Sequence, residues 1–385
     1  MSASPAYKNT DIEALRALAI VLVIMAHVAR LLPPDHWYME IVKHAGFGFG
    51  VDIFFCVSGF LITQSLARHI PQAPAPARLV QLARPFLIGR FWRLMPSALF
   101  WILALLLSAA VLNGKGTLLS FQDSLAPALA AALQVSDFTF SACRDAGKCG
   151  EFGIYWSLSL ENQFYLALPL LAVCAGRRLL PFVFLGAVIA QFFLERQLTV
   201  PTPFLWALRT DAICLGAFLA LVSQTTIYRE LDPTLLRWPP LALALVAYLV
   251  ALMARITLPH PPIPYAMGVT ALLCAMLTWI SSYDRRYLTG NRFVRSLALY
   301  IGSRSYAIYL THMLAMSLAA WLAQRPPLAG LMQGMGPGLA VAVFLGLTLL
   351  FSEFNYRMIE TPLRAYGKRR AAQARQGKEM SSQSA

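Results

Sequence analysis

The chain of 385 residues places 58% of them in the hydrophobic set and only 13% among Asp, Glu, Lys and Arg, against about 45–50% and about 25% in soluble domains. This composition excludes a soluble globular domain or a disordered chain and indicates a polytopic membrane protein. The formal net charge of +14 does not indicate nucleic acid. The basic residues gather in short loops on one side, and there is no zinc-spaced Cys/His set, glycine-rich phosphate loop or basic-aromatic sheet pattern.

The first apolar run follows acidic Asp11 and Glu13 and is succeeded by many others, so it reads as a retained helix rather than a secretory signal. Ten residues (ALAIVLVIMA) separate Arg16 from His27. Eleven steps of about 100° return to within roughly 20° of the start, which puts both side chains on one face, about 16 Å apart along the axis. Ionisable residues inside a membrane helix are costly and tend to face a cavity, a partner or a reaction path.

Hydropathy marks about ten spans, near 14–33, 45–66, 94–113, 154–175, 179–195, 203–223, 239–257, 264–282, 297–322 and 337–356. Each is long enough to cross a bilayer, so the predicted fold is an all-α bundle of about ten transmembrane helices. Loops holding Arg68, Arg78, Arg84, Arg90, Arg93, Arg177, Arg178, Arg285 and Arg286 alternate with poorer ones holding Arg30, Lys43, Lys115, Arg144, Arg196, Arg255 and Arg325. The positive-inside rule then puts both termini in the cytoplasm. Residues 1–366 are expected to form one transmembrane domain, and 367–385 a basic, disordered cytoplasmic tail near anionic lipid heads.

The segment 114–153 is the one long outer stretch, and Pro127 interrupts its apolar middle. An interfacial or re-entrant helix that lids an outer-facing site is expected there. Cys143 and Cys149 flank its polar loop CRDAGKC; a local disulfide or two free thiols both fit that spacing. Cys56, Cys174, Cys214 and Cys274 lie in apolar spans and read as small buried hydrophobes.

Counted from these boundaries, His27, Asp52, Glu161, Arg209 and Asp211 fall in one layer about 10 Å below the outer surface, with His312, just after Tyr309, nearer the midplane. An imidazole flanked by carboxylates would suit a general base for a hydroxyl nucleophile, the carboxylate fixing the tautomer. The plainer reading is that Arg209 forms a structural ion pair with Asp52 or Glu161. At the opposite boundary Arg90 and Arg93 (GRFWRLMP) lie level with Arg16, and three guanidinium groups there would hold a phosphorylated ligand. The glycines of GFGFG fit close helix packing or a turn and match no dinucleotide fingerprint.

Together these motifs resemble the acyltransferase 3 family of multi-pass bacterial membrane acyltransferases. The resemblance rests on Arg16 and His27, GVDIFFCVSGFLIT at 50–63, RFWRLMP at 90–96, WSLSLENQFY at 156–165, RTDAICLG at 209–216, GSRSYAIYLTH at 302–312 and YRMIETP at 356–362. Cys56 replaces a frequent apolar residue, and Asn162 stands where a second acidic residue is common.

The resemblance implies a location in the bacterial inner membrane and a cytoplasmic acyl-CoA donor, most often acetyl-CoA, as co-substrate with no bound cofactor or metal. It implies transfer to a hydroxyl of a cell-envelope glycan, lipid-linked sugar or exported small molecule. With only a short tail after the last span, the stand-alone form without an extracellular hydrolase-like domain is expected. Arg16, Arg90 and Arg93 would bind the donor, His27 would deprotonate the acceptor, and Asp52 or Glu161 would orient its ring. Arg209, Asp211, Tyr309 and His312 would complete the polar layer. An acyl-histidine intermediate and transfer of a succinyl group stay open. The rival from another class is an ion-coupled transporter or flippase, which would call for inverted repeats that the sequence does not display.

Overall fold

Asn9 begins the first helix by accepting a hydrogen bond from the Ile12 amide at 2.8 Å, while its own amide donates to the carbonyls of Ser281 and Ser282, each at 3.1 Å. The cap therefore also ties two distant segments together. The computed structural model describes residues 9–112, 118–194, 196, 207–258, 262–326, 330–331 and 336–383. Lys115 and the first part of the 203–223 span lie outside them. Among the described residues the chain is all-helical, without a strand.

In chain order the main elements are α1 (Thr10–Val28), α2 (Trp37–His44), α3 (Gly50–Ala67), α4 (Leu79–Leu112), α5 (Phe121–Ala132), α6 (Ser136–Asp145) and α7 (Tyr155–Phe192). They continue with α8 (Asp211–Val222), α9 (Pro239–Ile256), α10 (Ala266–Ser282), α11 (Arg292–Ala323), α12 (Gly338–Phe354) and α13 (Thr361–Gln383). Among the described residues seven helical stretches are long and apolar enough to cross a membrane, and α8 and α10 are shorter apolar helices. The two expected spans at 154–175 and 179–195 fall on α7, which Gly176 breaks with a φ of 67°. The segment at 71–75 docks at that break: Ala75 donates to the Val173 carbonyl at 2.8 Å and Arg177 to the Pro71 carbonyl at 2.7 Å.

α1 runs through the middle of the bundle, with Ile12, Leu15, Ala19, Leu22 and Val23 buried against α3, α10 and α11. Its acidic first turn is an anchor. Asp11 accepts from the amides of Tyr287 and Leu288 and the hydroxyl of Thr289, and Asp284 accepts from the Thr10 amide at 2.8 Å.

α3 and α8 make the most intimate pair. A Cβ at Gly59 would overlap the Ile213 carbonyl, and one at Gly216 the Cys56 carbonyl. Close backbone approach of this kind is how membrane helices gain packing when the surrounding lipid is itself apolar. Leu103, Leu107, Val111, Leu166, Leu170, Leu243 and Leu350 point outward, as a lipid-facing belt requires.

Within the 367–385 segment, α13 continues as helix to Gln383. It lies along α4, where Trp92 meets Tyr366 ring to ring at 4.7 Å and a Cβ at Gly367 would come within 2.5 Å of the Trp92 Cβ. A glycine and an aromatic pair seat this basic helix, which composition alone reads as solvated.

Candidate active site

Two cavities enter the bundle and share Val51 and Tyr309. The first, narrow at about 70 Å³, is lined by Arg16, Arg90, Arg93, Glu161, Tyr165 and a collar of α3 side chains. The second, of about 550 Å³, is lined by His27, Arg30, Asp52, Trp156, Arg209 and the loop bearing Arg144, Gly147 and Cys149. The α7 helix serves both: Trp156, with Ile154 just before the helix, faces the second cavity, while Ser157, Leu158, Glu161 and Tyr165 face the first.

The expected group of Arg16, Arg90 and Arg93 therefore comes together in space. Arg16 is held by Glu13 at 3.1 Å, three residues earlier on α1. Arg90 donates to the Ser65 hydroxyl at 3.0 Å and lies over the rings of Phe86 and Tyr165 at 5.5 and 5.6 Å.

His27 is half-buried at the far end of α1, on the wall of the larger cavity. Its Nδ1 lies 2.8 Å from the Val23 carbonyl. A carbonyl only accepts, so Nδ1 carries the proton and Nε2 keeps its lone pair. The His312 ring stands beside it, 5.0 Å between centroids and steeply inclined at 68°. His312 is fully buried; its Nδ1 donates to the Tyr309 carbonyl at 2.7 Å and its Nε2 has no hydrogen-bond partner among the described residues. The Tyr309 hydroxyl, at the junction of the two cavities, pairs with the Ser157 hydroxyl at 2.7 Å and donates to the Ile154 carbonyl at 3.0 Å.

Of the expected layer, His27, Asp52 and Arg209 line the larger cavity and Glu161 does not, and among the described residues no carboxylate is hydrogen-bonded to His27. Asp52 does share its cavity, but both its oxygens accept from one guanidinium nitrogen of Arg209, at 2.6 and 2.8 Å. Glu161 belongs to the other cavity and accepts from the Tyr165 hydroxyl. Asp211 pairs not with Arg209 but with Arg196, at 2.7 Å. Depth counted along separate helices sets none of these partners, because helix rotation and tilt decide which cavity a side chain meets.

Arg196 was expected in an outer loop, yet it is fully buried, donating also to the Leu208 carbonyl at 3.0 Å. Its Glu-Arg setting at the end of an apolar run looks like an ordinary polar loop. Buried Glu151, which accepts from Ser317 at 2.7 Å, was likewise missed; its place in CGEFG immediately before a span was the available signal. Glu360 pairs with Arg364 at 3.6 Å, and Arg304 with Glu353 at 2.5 Å.

The Cys143–Cys149 disulfide closes the loop beside the larger cavity. α5 and α6 are fastened beneath it: Gln163 donates to Asp137 at 2.9 Å and to the Gln134 carbonyl at 3.0 Å. Asp137 is fully buried, and burial holds its carboxyl above the ordinary carboxylate range despite the Gln163 hydrogen bond.

Residues 9–352 match the family model described as an acyltransferase domain. Among curated proteins, the chain is 26% identical over 387 residues to the peptidoglycan O-acetyltransferase OatA of Listeria monocytogenes, covering 93% of this chain and 56% of that protein. It is 24% identical over 406 residues to the O-acetyltransferase OatA of Staphylococcus aureus, covering 94% of this chain and 58% of that one. The chain thus spans little more than half the length of these relatives. No solved structure matches it.

Proposed function

We propose a function from one premise: the chain belongs to the acyltransferase 3 family, whose model covers its residues 9–352. On this reading it is a membrane O-acyltransferase that moves an acetyl group from acetyl-CoA to a hydroxyl of a cell-envelope glycan. The observation that carries the reading is the meeting of an arginine-lined cavity and a histidine-lined cavity at Val51 and Tyr309. A donor with phosphates at one end and a thioester on a long thin arm suits that shape. The positive-inside rule assigns the arginine end to the cytoplasm and the His27 end to the outside.

Arg16, Arg90 and Arg93 would hold the donor while its thioester reaches the junction. An acceptor hydroxyl would come through the larger cavity to the bare Nε2 of His27. His27 takes its proton as the hydroxyl oxygen bonds to the thioester carbonyl carbon. The carbon–sulfur bond then breaks, and the CoA thiolate leaves with the proton that His27 returns. The Val23 carbonyl, rather than a carboxylate, sets the tautomer. The orphaned Nε2 of His312 offers an acceptor to the imidazolium N–H that forms in between.

The names of the relatives favour an acetyl group and, for the Listeria protein, peptidoglycan as acceptor. In inverted membrane vesicles supplied with acetyl-labelled acetyl-CoA, label is expected to enter the glycan fraction with the wild type. His27→Ala should lower that transfer by about 10²–10⁴-fold. Equal labelling by both proteins at equal expression would remove His27 from the reaction, and no labelling by either would overturn the donor.

A further inference from the structure

A third cavity, of about 620 Å³, opens where α13 lies against α4. Its walls carry Arg90, Arg93, Arg364, Lys368 and Arg375, and no carboxylate is among the described lining residues. Arg90 and Arg93 also line the smaller membrane cavity, so the two spaces share a cationic rim.

The α13 sequence builds its side of this wall by periodicity. Arg364, Lys368 and Arg375 stand at i, i+4 and i+11, within about 40° of one another around the helix. Ala371 and Ala372 between them, and Gly89 opposite, keep the space open; a Cβ at Gly89 would meet only the Ala371 Cβ, at 3.9 Å. Arg364 is partly offset by Glu360 at 3.6 Å, whereas Lys368, Arg375 and Arg93 form no ion pair with a described residue. The neighbourhood is positive enough to act on other groups. His69, just beyond α3, titrates below its ordinary value, through burial first and then through the charges of Arg375 and Arg68. Like charges held this close without a counter-charge repel one another, and an anion relieves that repulsion.

We propose that α13 completes a polyphosphate-binding vestibule, in which Arg364, Lys368 and Arg375 join Arg90 and Arg93 to hold the phosphorylated nucleotide end of the donor at the mouth of the membrane cavity. This rests on the acyl-CoA reading above and extends it to a helix that composition alone assigns to a loose tail. An anionic lipid headgroup offers the same phosphate chemistry, so the test separates the two sources.

The test uses the full chain in nanodiscs of neutral phosphatidylcholine, with coenzyme A as the probe and isothermal calorimetry as the readout. The triple variant Arg364→Gln/Lys368→Gln/Arg375→Gln should bind coenzyme A at least about tenfold more weakly than wild type, the equivalent of one charge-assisted hydrogen bond. Phosphate-free pantetheine should bind both proteins equally. The charge-retaining Arg364→Lys/Arg375→Lys variant should keep most of the affinity, which separates lost charge from a misfolded helix. Equal coenzyme A affinity in wild type and triple variant overturns the vestibule while leaving the donor reading intact. A defect that appears only as weaker binding to phosphatidylglycerol vesicles also overturns it, in favour of a lipid surface. If wild type itself binds no coenzyme A, the donor reading falls and the vestibule falls with it.

Discussion

The two ends of this bundle treat charge in opposite ways. At the His27 end, Asp52 is matched by Arg209 and Asp211 by Arg196, with all four side chains buried. At the other end, Arg93, Lys368 and Arg375 face open space without a carboxylate partner among the described residues. A buried charge in a membrane helix must be compensated inside the protein, so the first set serves the fold. Cations around an open cavity can be compensated by something that arrives. Charge at one end is architecture, and at the other it is capacity for a ligand.

The contrast can be broken from either side. Asp52→Ala removes the carboxylate that both Arg209 hydrogen bonds reach inside the bundle, and should destabilise the protein by about 3–5 kcal/mol. Thermal unfolding in detergent measures this, and the double variant Asp52→Leu/Arg209→Leu should recover part of the loss. If Asp52→Ala unfolds like wild type while transfer disappears, Asp52 belongs to the chemistry instead.

His312→Phe keeps a flat ring next to His27 but removes the unpartnered Nε2. It should slow acetyl transfer by about tenfold, the rate equivalent of about 1.4 kcal/mol, with little change in unfolding temperature. Unchanged turnover would make His312 a packing residue only. The smallest expected effect on stability is at the basic end. Arg93→Gln should shift stability by no more than about 0.5 kcal/mol while raising the KM for acetyl-CoA. A large loss of stability there would show that the basic end, too, is built around its charges.

Much of the molecule could be read before any fold was known. Where the structure describes them, the apolar runs fall on helices, and Arg16 and His27 are two residues of one helix that line two cavities sharing Val51 and Tyr309. Asp52 was assigned to the space around His27 and lines the same cavity. The failures have one origin. Glu161 and Asp52 were placed in a common layer because they sit equally far from their helix ends. Yet α7 turns Trp156 into one cavity and Glu161 into the other within five residues. The fit of Gly367 and Tyr366 against Trp92 likewise has no signature in local composition.

What the sequence by itself determined is whatever depends on hydropathy and helical period: an all-α membrane chain, the face shared by Arg16 and His27, and the basic boundary at Arg90 and Arg93. Partnership was decided only by the tertiary structure. The Asp52–Arg209 pair bridges 157 positions of sequence, and the His27–His312 contact joins the first helix to a late one. Such contacts depend on the rotation and tilt of packed helices. These in turn are set by close approaches such as Gly59 on Ile213 and Gly302 on Glu13, which no single segment encodes.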